Sequence, residues 1–282
     1  MLFDQYRLSD QSEIISGDKF QQFVETKRNE LMPLCYVKND YYRTNTPFIW
    51  RGKPHPQPLT RFVVSGHSDL SIDEQVFNRN KSDIEIWFTT NKSYRHHNLH
   101  SIPIGITNDC NDSQLHKIYG NTDVMVKVAN DTSKRAVNPK LMYMNFNIET
   151  HGDRRTVYNM FVNQPFVTVG QIENSMKGRE TFLRQLRDHK FCICPRGNGI
   201  DTHRLWESLY MGTIPIVKRE IAYEQFSDLP ILFVDDYNEV TEEYLNDQYR
   251  TMMSKYWNME KLGMTYWKNK IGNVVNDLLS GL

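Results

Sequence analysis

Hydrophobic and polar positions along the chain follow a strand, helix, strand order. Apolar residues at helical spacing predict an amphipathic helix over 12–32. Short apolar runs predict strands at 61–65 and 84–89, with a helix at about 72–80 between them and a third apolar stretch at 102–106. A strand, a helix and a second strand are the beginning of a parallel α/β layer.

The same order returns after the polar segment 129–139, which is the best linker candidate. Strands are predicted at 141–146, 166–169, 191–194, 214–217 and 231–234, helices at 154–160, 179–189 and 203–211, and a mostly helical tail from about 241. Repeated βαβ units predict an α/β fold of two Rossmann-like, doubly wound domains facing a cleft, 1–132 and 133–282. The final helices are candidates for packing back on the N-terminal domain. Ligands in such folds bind at the carboxyl ends of the strands.

Composition and charge exclude several classes of protein. The 34 Lys and Arg residues balance 34 Asp and Glu residues, which argues against a nucleic-acid binder. Aromatic residues make up 12% of the chain and argue against disorder. No apolar run approaches the roughly 18 residues that span a bilayer, and the N-terminus lacks the form of a signal peptide. The four cysteines show no metal-ligand spacing, so we expect reduced thiols in a soluble, cytoplasmic protein.

The loop after the predicted strand at 191–194 carries the most informative residues. Gly197 and Gly199 let the backbone approach a ligand closely, and Asp201 or Thr202 is able to cap the helix that follows. Free N–H groups at the start of that helix favour an anion. The loop therefore predicts a phosphate site.

Charged side chains on and before the helix extend this site. Arg196 and Arg204 supply charge-assisted donors for phosphate oxygens. Glu207 lies on the same helical face as His203 and Arg204, where a carboxylate one turn deeper can accept hydrogen bonds from ribose hydroxyls. The spacing is neither that of a phosphate-binding P-loop nor that of a dinucleotide Gly-x-Gly-x-x-Gly motif, which disfavours an NTPase or a dehydrogenase.

The block Cys194-Pro195-Arg196-Gly197, then Arg204, Glu207 and Gly212-Thr213-Ile214-Pro215, resembles the exostosin family of glycosyltransferases. The resemblance is tight over 191–218 and looser over 141–240. It implies a GT-B fold and an inverting single displacement from a nucleotide sugar, and we expect this to proceed without a metal. It places Arg196 and Arg204 on the diphosphate, Glu207 on the ribose and the pair Arg154-Arg155 near the phosphates. The expected donor-binding residues are Arg154, Arg155, Arg196, Gly197, Asn198, Gly199, Asp201, Thr202, His203, Arg204 and Glu207.

The resemblance also bears on the donor sugar. It implies a UDP-sugar as donor substrate with no further cofactor, and a glycan or glycoprotein as acceptor partner. The form of residues 198–204, Asn-Gly-Ile-Asp-Thr-His-Arg, is similar to exostosin-like enzymes of large algal viruses, which favours UDP-xylose and a host cytoplasm. Two alternatives stay open: a GDP-fucose-type glycosyltransferase, and a non-catalytic carbohydrate-binding or nucleotide-binding module.

The catalytic base is expected in the loop after the predicted strand at 61–65. This loop offers His67 and Asp69, and we prefer Asp69. Asp73, Glu74 and His55 are rivals.

Acceptor-binding residues are expected in neighbouring loops at the cleft edge, namely Asp73, Tyr94, Asn108 and Asp109. Three histidines, His96, His97 and His100, cluster nearby without a Cys or carboxylate at ligand spacing, so we predict no metal site. The absence of any Asp-x-Asp sequence agrees with catalysis that relies on arginines.

Overall fold

The computed structural model describes residues 8, 10–29, 34–44, 49–50, 53–54, 61–109, 113–131 and 139–281. The strands are β1 Leu34–Lys38, β2 Ile49–Trp50, β3 Lys53–Pro54, β4 Phe62–Gly66, β5 Ile86–Thr89, β6 Leu99–Ser101, β7 Lys140–Met144, β8 Val167–Val169, β9 His189–Ile193, β10 Ile214–Lys218 and β11 Leu232–Val234. The helices are α1 Gly17–Asn29, α2 Asn39–Thr44, α3 Glu74–Asn80, α4 Gln114–Tyr119, α5 Thr122–Asn130, α6 Gly152–Phe161, α7 Met176–Arg187, α8 His203–Met211, α9 Glu242–Met253 and α10 Met264–Ser280. Of the residues considered in the sequence, His55, one of the four cysteines (Cys110) and most of the linker 129–139 lie outside the described residues.

The N-terminal lobe is built on a parallel sheet in the order β1-β4-β5-β6. Its strands are buried on both faces, as parallel sheets require. Val64 and Phe88 point into the main core with α1, whereas Val63 and Trp87 pack on the opposite face against Phe77 of α3. The sequence pattern did not predict β1, and the strand β6 lies at Leu99–Ser101, just before the apolar stretch 102–106.

The C-terminal lobe is built on a second parallel sheet in the order β11-β10-β9-β7-β8. The strand order reverses between β7 and β9, which pair through Tyr143 and Cys192. At such a reversal the loops after the two strands leave in opposite directions and open a crevice. The predicted α/β class, with two parallel sheets flanked by helices, is confirmed.

Both lobes share one hydrophobic core, which fixes how they face each other. The hydroxyl of Tyr210 on α8 accepts a hydrogen bond from the backbone N–H of Ile15 at 2.9 Å and donates one to the carbonyl of Leu262 at 2.8 Å. The C-terminal helix α10 contacts α1, and Glu13 accepts two hydrogen bonds from Thr265 at its start. In the part of the chain that the structure describes, no helix has the length and apolar character to cross a membrane.

Candidate active site

A cavity of about 430 Å³ lies between the two lobes at the reversal of the C-terminal sheet. Its walls are the loops that follow β7 and β9, the start of α8, and residues of the N-terminal lobe that include Ile104 and Thr107. The predicted site residues that line it are Asp69, Arg154, Gly197, Asn198, Gly199, Asp201, Thr202, His203, Arg204 and Glu207. The reversal of strand order thus brings most of the predicted donor residues to one cavity.

The start of α8 faces this cavity with polar groups that the protein leaves unused. Thr202 is the N-cap residue by its extended backbone, but its side chain makes no capping hydrogen bond. The Thr202 hydroxyl is buried and has no hydrogen-bond partner among the described residues. The carboxylate of Asp201 is engaged elsewhere, so neither residue caps the helix as the sequence suggested. A helix start without a side-chain cap keeps N–H donors for a ligand.

A buried carboxylate lies one turn into α8 between two arginines. Oε1 of Glu207 is 2.5 Å from Nη1 of Arg179, and Oε2 is 3.2 Å from Nε of Arg204. The side chains of Arg179 and Glu207 are 0% and 3% exposed. Burial alone would raise the pKa of Glu207, but the two guanidinium groups lower it below its usual value. Glu207 is therefore an anion whose two oxygens are held in fixed positions.

Arg179 was missed by the sequence analysis. Its Nε and Nη2 atoms are buried without a hydrogen-bond partner in the described ranges, although the residue lines the cavity. The rings of Tyr119 and Phe182 flank its guanidinium group at 5.7 and 5.5 Å. A sequence signal did exist, because Arg179 occupies the apolar face of α7 together with Phe182 and Leu183, where a charged residue is unusual.

Arg154 and Arg155 point in different directions on α6. Arg154 donates from Nε to the carbonyl of Arg196 at 2.9 Å and from Nη1 to the carbonyl of Asn147 at 3.3 Å. It forms no ion pair with any carboxylate of the described residues, and burial followed by the charge of Arg204 lowers its pKa. Arg155 is exposed, pairs with Glu149 and does not line the cavity. Of the two, only Arg154 offers positive charge to the cleft.

Arg196 also lies away from the cleft. Its guanidinium group turns back to the carbonyls of Gly197 and Asn198, at 3.4 and 3.2 Å. The side chain borders a small cavity beside Lys218 and Tyr237 instead. Arg196 contributes to the cleft through its backbone, because its carbonyl oxygen accepts the hydrogen bond that orients Arg154.

Asp201 and His203 face the cleft but also bind the opposite lobe. Oδ2 of Asp201 accepts the N–H of Ile104 at 2.8 Å, and both of its oxygens are 3.0 Å from Nε1 of Trp206. Nδ1 of His203 is 2.8 Å from the carbonyl of Gly105. Burial raises the pKa of Asp201 to about 7 and lowers that of His203. These contacts place the 199–203 loop against the N-terminal lobe.

The two candidates for the base occupy different environments. His67 has a left-handed backbone with φ of 51°, and its Nδ1 lies 2.5 Å from the hydroxyl of Tyr36. Its Nε2 lies 2.9 Å from Oδ1 of Asp18, so both ring nitrogens already have partners. Asp69 is exposed and lines the cleft, close enough to Arg154 to influence its pKa. Of the two, Asp69 is the one that lines the cleft.

The four predicted acceptor residues are dispersed. Asp73 caps α3 by accepting the N–H of Val76 at 2.8 Å, and Tyr94 packs against Phe77. Asn108 accepts the backbone N–H of Asp18 at 3.0 Å. Asp109 lines a second cavity next to the cleft.

Comparisons with known proteins give a fold similarity only. No family model matches the chain, and no curated protein matches it. An α1,3-fucosyltransferase structure is similar over 91% of this chain and 87% of its own, with 12% identity and a TM-score of 0.44. A UDP-GlcNAc 2-epimerase from Methanocaldococcus jannaschii is similar over 90% of this chain and 80% of its own, with 10% identity and a TM-score of 0.35. Similarity at this level says nothing about reaction or substrate.

The three clustered histidines make ring contacts. His96 stacks on His97 with centroids 4.2 Å apart, and His100 stacks on Phe88 at 5.2 Å. Burial lowers the pKa of His100 to about 4. Within the described ranges no group of three or more His, Cys, Asp or Glu side chains is placed to hold a metal ion.

The cleft combines groups that suit an anionic ligand with a carboxylate beyond them. Arg154, the start of α8 and the hydroxyl of Thr202 offer donors and positive charge. Glu207 offers a fixed acceptor deeper along the same helix. Asp69 lies on the opposite lobe. A molecule with a phosphate group near α8 and hydroxyl groups on either side would bind the donors around α8, the carboxylate of Glu207 and the carboxylate of Asp69.

Proposed function

We propose that this protein is an inverting glycosyltransferase that binds a nucleotide sugar in the interlobe cleft. The observation that carries the proposal is the cavity at the reversal of the C-terminal sheet, where Arg154, Arg204 and the start of α8 converge. Arginine side chains and helix N-termini are the groups that proteins use to hold phosphates. The uncapped helix start and the unpartnered hydroxyl of Thr202 support a ligand at this position.

The residues of the cleft suggest an orientation for the donor. The diphosphate would lie against Arg154 and the N–H groups at the start of α8. Glu207 would accept hydrogen bonds from the ribose hydroxyls, because each of its held oxygens has a second lone pair. Arg204 and Arg179 keep Glu207 ionised for this role.

The finer identity of the donor is part of the proposal. The resemblance of residues 191–218 to the exostosin family favours a UDP-sugar, and the form of residues 198–204 favours UDP-xylose. The acceptor is a hydroxyl group of a glycan.

The reaction would be a single displacement with inversion at the anomeric carbon. Asp69 accepts the proton of the acceptor hydroxyl as its oxygen attacks, and the bond to the nucleoside diphosphate breaks. Negative charge that develops on the leaving diphosphate is stabilised by Arg154 and by the N–H groups of α8. These groups supply positive charge in the place where a metal ion acts in other phosphate sites, so we expect EDTA to leave activity unchanged.

A thermal-shift panel with UDP, GDP, CMP and TDP tests donor binding, because a ligand of the folded state raises the unfolding midpoint. We expect UDP to raise it equally with magnesium and with EDTA. Arg154→Ala should abolish the shift, whereas Arg155→Ala, its exposed neighbour, should keep it. No shift with any nucleotide would contradict the proposal, and a shift that needs magnesium would contradict the metal-free mechanism.

Turnover is tested separately. With UDP-xylose and a pool of glycan acceptors, Asp69→Asn should lose at least a hundredfold in kcat while retaining the UDP shift, in keeping with the usual contribution of a general base. Asp235→Asn, an exposed aspartate paired with Arg219, is the matched control. Equal loss in both variants, or none in Asp69→Asn, would remove Asp69 from the mechanism.

A further inference from the structure

A second cavity of about 510 Å³ lies beside the cleft and is not used by the proposed donor site. It is formed by the first turns of α1, the segment that follows β6 and the start of α5. Thr107 lines both this cavity and the cleft. His67, which holds Asp18 in the wall of the second cavity, is two residues from Asp69 in the wall of the cleft. The two cavities are therefore neighbours.

The described lining of the second cavity carries more negative than positive charge. Asp18, Glu25 and Asp109 contribute carboxylates to its described lining, and Lys19 contributes an ammonium group. That ammonium group is occupied by the carbonyls of Gln11 and Ile14. A phosphate or another anion would be repelled here, whereas donors such as hydroxyl groups would be attracted.

Gln21 lines this cavity and carries a side-chain acceptor that the described residues leave unsatisfied. The residue is 1% exposed, and its Nε2 donates to Glu25 at 2.8 Å, which fixes the orientation of the amide. Its Oε1 is buried and has no hydrogen-bond partner in the ranges that the structure describes. A buried acceptor without a partner is unfavourable, and a ligand hydroxyl would satisfy it.

Asp18 is held in the same wall by a chain of side chains. Its Oδ1 is 2.9 Å from Nε2 of His67, whose Nδ1 is 2.5 Å from the hydroxyl of Tyr36. The backbone N–H of Asp18 is held by Asn108 at 3.0 Å. The side chain remains 15% exposed and borders the cavity. Its carboxylate is thus a positioned acceptor rather than a mobile surface charge.

We propose that the second cavity binds the acceptor substrate as a neutral glycan, whose hydroxyl groups donate to Gln21 and Asp18. The inference rests on the proposed function, because it places the acceptor next to the cleft in which the donor would lie. The net negative lining selects against glycans that carry carboxylate or phosphate groups near the accepting sugar. The glutamine, serine and threonine side chains around it suit vicinal hydroxyls, which both donate and accept.

Saturation-transfer NMR on the full chain tests this site, with methyl glycosides of glucose, galactose, mannose, fucose, rhamnose and xylose as probes. Methyl glucuronoside is the anionic counterpart. We expect at least one neutral glycoside to bind and the glucuronoside to bind at least tenfold more weakly. Failure of every neutral probe, with and without UDP present, or equal binding of the glucuronoside, would overturn the inference.

Two variants locate the site. Gln21→Met removes the unsatisfied acceptor at constant size and should weaken glycoside binding at least tenfold without lowering Tm. Gln22→Trp fills the mouth of the cavity from an exposed position and should also weaken glycoside binding at least tenfold. Gln164→Trp, at an exposed glutamine after α6, should leave glycoside binding unchanged. Unchanged binding in Gln21→Met and Gln22→Trp would place the glycan elsewhere.

The UDP thermal shift separates failure of this inference from failure of the proposed function. A UDP shift that persists in both cavity variants, together with loss of glycoside binding, supports the inference. If UDP stabilises the wild type but no neutral glycoside binds, only the acceptor site is wrong. If glycosides bind as expected but no nucleotide does, the donor assignment is wrong, and with it the role of this cavity as an acceptor site.

Discussion

At the scale of single residues, the buried pair between Arg179 and Glu207 is a point where one substitution should cost much stability. Both side chains are almost fully buried, so Glu207→Gln would leave the charge of Arg179 without a carboxylate. Loss of one partner of a buried ion pair costs about 3–5 kcal/mol. We expect urea unfolding to show a loss of this size. Glu180→Gln, which breaks partly exposed pairs with Arg184 and Lys127, should cost about 1 kcal/mol or less, and equal losses would contradict the buried pair.

The carboxyl group of Asp201 makes stability depend on pH. Its pKa is raised from 3.8 to about 7 by burial, so between these values the folded state keeps a proton that the unfolded state has released. Stability therefore falls as pH rises through this window, by at most about 1.4 kcal/mol per pH unit, and this contribution is level above it. Asp201→Asn should be less stable overall, because it loses an acceptor for Ile104 or Trp206, but should lack this slope.

Thermal unfolding between pH 4 and 8 measures that slope. Asp235→Asn, at an exposed aspartate, should retain the wild-type profile. An unchanged slope in Asp201→Asn would show that other groups cause the pH dependence.

At the scale of elements, glycines set two connections that no other residue can form without strain. Gly212 ends α8 at φ of 82°, and Gly105, at φ of 69°, lies where an added Cβ would meet the carbonyl of Ile15. Gly105→Ala should lower the free energy of unfolding by at least about 2 kcal/mol, because the strain of positive φ adds to a backbone clash. Gly272→Ala is the matched control, since its Cβ would meet nothing within 4 Å in α10. The free energy of unfolding of Gly272→Ala, measured by chemical denaturation, should rise by up to about 1 kcal/mol. A similar change in both variants would contradict the close approach at Gly105.

The elements also show what a sequence can predict. The C-terminal strands and helices were predictable because their apolar runs are short and bounded by breakers, as at Ile214–Lys218 after Gly212. β1 was missed because its apolar run, Leu34–Lys38, lies between segments that carry no strand pattern. The apolar run at 102–106 does not join the sheet, because it packs against the segment before α1, where Gly105 approaches Ile15 and Ser16 forms isolated bridges with Gly105 and Ile106.

In the candidate site, too, local patterns could be predicted from the sequence but contacts between distant segments could not. Arg204 and Glu207 could be found because their spacing on one helix is local. Arg179 could not be paired with Glu207 from the sequence, since the two residues lie 28 positions apart on different helices. The turn of Arg196 away from the cleft depends on loop carbonyls whose directions no residue pattern encodes.

At the scale of the whole molecule, the lobes are joined by a shared core and by hydrogen bonds around the 199–203 loop. Asn91, in the N-terminal lobe, accepts the backbone N–H of Asp201 at 2.8 Å and donates to the carbonyl of Ser68 at 3.0 Å. Because one core runs through both lobes, we expect them to unfold in a single calorimetric transition, with equal calorimetric and van't Hoff enthalpies. Two separated transitions would show that each lobe folds on its own.

Substitution of Asn91 tests how much the polar contacts between the lobes add to the stability that the shared core provides. The residue has φ of 55°, so Asn91→Gly removes the amide without imposing backbone strain. Loss of one buried and one partly buried hydrogen bond should cost about 1–3 kcal/mol and lower Tm by several degrees while the transition stays single, since the core is intact. Asn163→Gly, at an exposed turn after α6, should shift Tm by much less. If Asn91→Gly instead split the transition, the lobes would be held together by the 199–203 loop, and the cleft would depend on one loop for its shape.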